Sequence, residues 1–167
     1  MAKNGLVFIT KATFSGASAV NIDNCFSSLY DHYLIVRNFT ASADNHFIKG
    51  NMRAGGTTEV GAAYSIQYYS ASSTAITQGR LTSYTYWINA LGYTRSFNAF
   101  AELWLSHPFT AVPTTGWADV SYAEDGSIVQ EAMAYCHTLT TSYDGVTFTP
   151  NSGTITGSIS VFGLVKS

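Results

Sequence analysis

Residues 142–167 read "SYDGVTFTPNSGTITGSISVFGLVKS". Val146, Phe148 and Pro150 fall on one side of a first extended run, and Ile155, Ile159 and Val161 on one side of a second, with Thr and Ser opposite them. A period of two marks strands with one buried face. Tyr143–Asp144–Gly145 reads as a turn whose glycine can supply a positive φ where one is needed, and Asn151–Ser152–Gly153 as a second turn. Gly157 interrupts the last strand. The stretch holds one acidic and one basic side chain, so it is equipped to pack rather than to react.

The same alternation extends toward the N-terminus. In "GLVFITKATFS" the residues Leu6, Phe8, Ala12 and Phe14 share one face, opposite Lys11, Thr13 and Ser15. In "HYLIVRNFT" Tyr33, Ile35 and Phe39 oppose Leu34, Val36, Asn38 and Thr40, a pattern apolar on both faces that predicts a covered, central strand. "HFIKGNMRA" predicts a strand with a bulge at Gly50. "AAYSIQYYSAS", a short segment around Arg80–Thr82, and "YTYWINA" continue the series. "FAELWLS" sets Ala101, Leu103 and Leu105 against Phe100, Glu102 and Trp104, "GWADVSYA" places Val120 with Tyr122, and "AMAYCHTLT" precedes the final pair. One short helical turn is expected at Cys25–Tyr30. Gly55–Gly56 and Glu124–Asp125–Gly126 are further turn signals, and Pro108, Pro113 and Pro150 lie at strand ends or loops, where a missing N–H costs nothing. Nine or ten short strands with so little helix predict one all-β domain over residues 1–167, an antiparallel β-sandwich or barrel of about 8–10 strands.

Composition narrows the function. Charged residues make up 11% of the chain and aromatics 14%, with a net charge of −2. A surface that poor in charge predicts cover by partners. Four Lys and four Arg are scattered from Lys3 to Lys166, with no cluster to neutralise a run of phosphates, so no nucleic-acid partner is expected. The longest apolar run near the start, Leu6–Ile9, is too short for an export signal or a bilayer span, so no membrane role is expected either. Cys25 and Cys136 form no disulfide framework and read as two buried thiols, suited to assembly in a reducing cytoplasm, with a single disulfide between them as the alternative.

Candidate chemistry is sparse. There is no Gly-x-Ser-x-Gly elbow. Glu124–Asp125 reads as a solvated turn. Glu102 is the one carboxylate that a cross-strand neighbour, Asp119, would bring near a glycosidase-like pair. His32, His46, His107, His137, Asp31 and Cys136 lack the close spacings of metal motifs, and Cys136 and His137, as strand neighbours, face opposite sides. The reading is therefore no enzyme, no catalytic residue, no metal and no cofactor. The aromatic runs "YSIQYYS", "YTYW" and "WLSHPF" offer ring faces to sugars, although sandwich cores and subunit interfaces consume the same residues. Asn38–Phe39–Thr40 matches a glycosylation sequon but falls within a strand.

The ending "AYCHTLTTSYDGVTFTPNSGTITGSISVFG" resembles the end of a β-rich domain of tailed-bacteriophage virion proteins, of fibre-like and head-associated types. The opening "GLVFITKATFSGASAVNIDNCFSSLYDHYLIVRNFTAS", with its Phe26-to-Tyr30 turn, looks like the start of that domain. The resemblance covers nearly the whole chain and fits least over Asn51–Tyr93. It implies a jelly-roll-like sandwich, usually a homotrimer, exposed on a virion assembled in the host cytoplasm. The expected role is a trimeric decoration or cement protein that stabilises a capsid through contacts with itself and the major capsid protein. A first strand starting by residue 6 favours that over a fibre carrying its own shaft. The alternative is a short tail-fibre or receptor-binding protein that recognises a host surface glycan.

Overall fold

The computed structural model describes residues 5–44, 46–72, 75–94, 99–124 and 127–166. Within them the chain forms thirteen strands and no helix. In order these are β1 (Leu6–Ala17), β2 (Val20–Ile22), β3 (Tyr30–Ala41), β4 (His46–Ala54), β5 (Thr57–Thr58), β6 (Tyr64–Ser72), β7 (Ala75–Tyr84), β8 (Tyr93–Thr94), β9 (Phe100–Ser106), β10 (Thr114–Glu124), β11 (Ser127–His137), β12 (Gly145–Pro150) and β13 (Ile155–Val165). Ten of them run six residues or longer, the number expected; β2, β5 and β8 are the short additions. All pairings are antiparallel.

The strands divide into two sheets. The larger runs β1-β13-β3-β9-β10-β11-β6-β7, and the smaller β2-β12-β4-β5, with β8 also on β4. Alternate residues of the large sheet, among them Ile35, Leu103, Val120, Met133 and Ile159, meet Ile48, Met52, Val146 and Phe148 of the small one in a single buried cluster. The expectation of two antiparallel sheets holds. Its jelly-roll refinement rests on the resemblance alone.

One edge of β4 is served by three successive segments: β8 opposite His46 and Phe47, Trp87 opposite Gly50, and β5 opposite Arg53 and Ala54. Gly50 is thus no bulge. It keeps unbroken register with Phe148, and a Cβ there would lie 2.6 Å from Ala90 Cβ. Glycine is required by a close approach. "YTYWINA" is likewise no strand beyond Tyr84. Ser83 and Asn89 take positive φ (59° and 56°), which turns the chain so that Trp87, fully buried, plugs the sandwich. The segment expected only around Arg80–Thr82 is the full strand β7.

Two further expectations are corrected, the helical turn and the face of β1, and the turn at Gly145 is given its geometry. Cys25–Tyr30 forms no helix, because its backbone groups have other partners: Phe26 N–H donates to Asp144 O, while Ser27 N–H and C=O both bond the Tyr33 hydroxyl. Gly145 needs no positive φ; its added Cβ would meet Ile22 O at 2.5 Å. In β1 a register shift between Phe8 and Thr10 splits the expected face. Ile9, Ala12 and Phe14 pack on the core, whereas Leu6 and Phe8 point outward. Asp125 and Gly126 of the expected turn lie outside the described residues. Cys25 is buried as expected, but Cys136 is only half-buried, and both are free thiols.

Candidate functional site

The inner face of the large sheet carries most of the core and, where β6, β7 and β11 meet the Trp87 segment, lines a cavity of about 430 Å³ with Ile66, Leu81, Ile88, Asn89, Glu131 and Met133; the exposed aromatic rings of that sheet lie on its outer face. Register defines what stands there. Phe8 pairs with Phe162, Phe162 with Leu34, Leu34 with Trp104, Trp104 with Trp117, Trp117 with Ala134, and Ala134 with Gln67. This single transverse row carries apolar groups across six strands before it turns polar. Its rings touch: Phe8 meets Phe162 edge-on at 5.8 Å, and Trp104 and Trp117 lie nearly parallel at 6.2 Å. Leu34, although on the outer face, is buried between such neighbours. That explains why β3 reads as covered on both sides.

The row has two chemically different ends. Toward the β1 edge, Leu6 and Phe8 are 45% and 56% exposed, and the next row adds Leu164 opposite Leu6. Toward the other edge, β11 places the two small residues Ala132 and Ala134 next to each other on the outer face, beside Trp117 and Asp119. These small side chains form the floor of a groove of about 700 Å³ lined also by Trp117, Gln67, Tyr69 and Gln78. A smaller one of about 290 Å³ lies on the other side of Trp117, between Trp104, His32, Thr115 and Leu164.

Glu102 and Asp119, the carboxylates considered together from the sequence, are cross-strand partners. Both are half-buried on the outer face, one register step from the Trp104–Trp117 pair. Like charges placed directly opposite each other weaken a sheet.

The metal candidates separate into three places. His32 and His107 rings meet edge-on at 5.4 Å, near Asp31. Lys166 Nζ, 2.8 Å from Asp31 Oδ1, holds that carboxyl below its usual range, and His107 Nδ1 bonds Ser106 Oγ at 2.7 Å. His46 begins β4 opposite Thr94. His137 is fully buried among the rings of Tyr64, Trp87 and Tyr143, and burial pushes its imidazole pKa down. Cys136, its neighbour, faces the other way. Among the described residues no three His, Cys, Asp or Glu side chains converge as a metal site needs.

The aromatic runs sort unevenly. Tyr64 and Trp87 go to the interior, and Tyr68 is half-buried against the core. Tyr69 and Trp104 reach the outer face. Trp117, which the sequence reading passed over in favour of Val120 and Tyr122, is the central exposed ring, 44% accessible. Its alternation with Ala118 and Val120 was a usable signal. The alanine floor beneath the groove was not, because only the pairing of β10, β11 and β6 assembles it. Comparison of the chain with protein-family models, curated proteins and solved structures finds no match.

Proposed function

We propose that this protein is a bacteriophage virion structural protein, a homotrimer that decorates the capsid and acts through contact rather than catalysis. The observation that carries the reading is the β1 end of the outer face. Leu6 and Phe8 of the twelve-residue edge strand β1 form an apolar cluster with Phe162 and Leu164 of its neighbour β13, and Leu6 and Phe8 are largely exposed. An exposed apolar edge strand is a pairing and aggregation liability in a free monomer. Burial against other copies and the shell removes that liability and stabilises the assembled state, since a ligand that binds only that state shifts its equilibrium. Low charge and high aromatic content suit such contacts.

The second reading, a receptor-binding protein for host glycan, is favoured by the groove beside Trp117. Gold-labelled antibody imaging of intact virions tests the two. Label over the head supports decoration, and shells lacking the protein should then lose heat tolerance. Label confined to the tail overturns decoration and leaves the second reading. Absence of label from the particle overturns both.

A further inference from the structure

The geometry points to the Trp117 groove as a binding site for a neutral oligosaccharide. The inference rests on the second reading for its biological role, but the binding itself does not depend on where the chain sits on the particle.

Ala132 and Ala134 lower the floor along β11. One wall is β10, where Trp117 stands opposite Ala134 and Asp119 opposite Ala132. The other is β6, where Gln67 stands opposite Ala134 and Tyr69 opposite Ala132. The walls are two strand spacings apart, about 9.6 Å between backbones, which leaves room between them for a flat ring. A pyranose presents a C–H face to an indole or phenol ring and hydroxyls at its rim. Gln67 and the neighbouring Gln78, which line the groove, both donate and accept, and Asp119, opposite Ala132 beyond the lining, offers an acceptor at its rim.

Two observations favour a sugar over a protein segment. First, the groove lies in the interior of a sheet whose backbone groups are already paired on both sides, so an incoming strand finds no main-chain partners. Second, the Glu102–Asp119 pair stands one register step from the tryptophans. Protein interface cores are depleted in charge, whereas acceptors directly beside an aromatic ring are what a polyhydroxyl ligand uses. The opposite, β1 end of the row lacks these groups and suits the subunit contact instead.

The test is titration of the purified full chain with glucose, galactose, mannose and N-acetylglucosamine hexasaccharides, read by tryptophan fluorescence and by ligand-observed NMR. At least one hexasaccharide should bind, shift the tryptophan emission and protect it from acrylamide. Trp117→Ala should weaken binding about tenfold or more, the scale of a lost stacking contact with its hydrogen bonds. Ala134→Leu, which refills the floor while keeping Trp117, should do the same. Phe8→Ser, at the far end of the row, should leave it unchanged. No binding by any hexasaccharide overturns the inference, as does binding that survives both groove variants. Loss of binding in Phe8→Ser alone would place the sugar at the β1 end and would equally overturn it. Virion labelling over the head would refute the receptor-binding role while leaving these outcomes readable.

Discussion

Replacing Gly50 with alanine tests how the small sheet meets the Trp87 segment. Gly50 lacks a positive φ, and at such a site a Gly→Ala change usually stabilises by about 0.4–1 kcal/mol, by restricting the unfolded chain. Packing should reverse that sign. The new Cβ would lie 2.6 Å from Ala90 Cβ, whereas carbons in contact prefer roughly 3.5–4.0 Å. Neither backbone can yield cheaply. Gly50 and Trp87 exchange both hydrogen bonds at 2.9 Å, and Ala90 N–H donates to Ile48 O at 3.0 Å. Overpacking of this kind costs about 2 kcal/mol, or a fall of roughly 4–8 °C in Tm for a chain of this size. Ala90→Gly alone removes one buried methyl, worth about 1 kcal/mol. Combined with Gly50→Ala it removes the clash, so the double variant should lie within about 1 kcal/mol of wild type, a favourable coupling of about 2 kcal/mol. Urea denaturation followed by tryptophan fluorescence measures this through the midpoint, with the slope unchanged. A Gly50→Ala protein as stable as wild type, or strictly additive variants, would refute the packing argument.

Other expectations follow from buried polar groups. His137 is held neutral by burial, its pKa below the ordinary 6.5. Above that pH it contributes no pH dependence. As pH falls below about 6.5 the unfolded chain takes up a proton that the native state refuses, so stability drops until pH passes the native pKa. His137→Gln should therefore flatten the stability difference between pH 7 and pH 5 relative to wild type; an unchanged slope would contradict it. Arg37 is buried, donates to the carbonyls of Leu91, Tyr93 and Phe39 at 2.7–3.1 Å, and lies 4.0 Å over the Phe39 ring. Burial lowers its pKa to about 10, which leaves it charged at neutral pH. Arg37→Met keeps most of the bulk but orphans these acceptors, and should cost about 3 kcal/mol in urea denaturation; a loss under about 1 kcal/mol would mean the carbonyls find other partners. Burial pushes the Cys25 thiol up to about 12, while Cys136 is half-buried on the outer face. A thiol reagent at pH 8 should therefore label Cys136 in the native protein and Cys25 only after unfolding, which peptide mapping would check.

The strand content was legible because alternation is a local property. Ala101, Leu103 and Leu105 face inward as read, and so do Ile155, Ile159 and Val161. What failed depended on partners distant in sequence. Gly50 resembled a bulge because nothing in "HFIKGNMRA" announces Ala90 pressing on it. "YTYWINA" resembled a strand because its aromatic content is the same whether the rings pair along a sheet or plug its edge. The bulge in β1 reversed the expected facing of Leu6 and Phe8, since one extra residue flips every side chain beyond it. The Glu102–Asp119 juxtaposition was legible once both strands were assigned. The groove was not, for its walls come from β6 and β10 and its floor from β11, and no single segment contains the shape.

In the proposed trimer the apolar β1 end of the outer face joins copies of the chain. Sedimentation equilibrium at micromolar concentration tests it most directly, with Phe8→Ser run alongside. The expected mass is three times the 18.0 kDa of one chain, with a shift toward the single chain in the variant. A wild-type protein that sediments at the mass of one chain would contradict it.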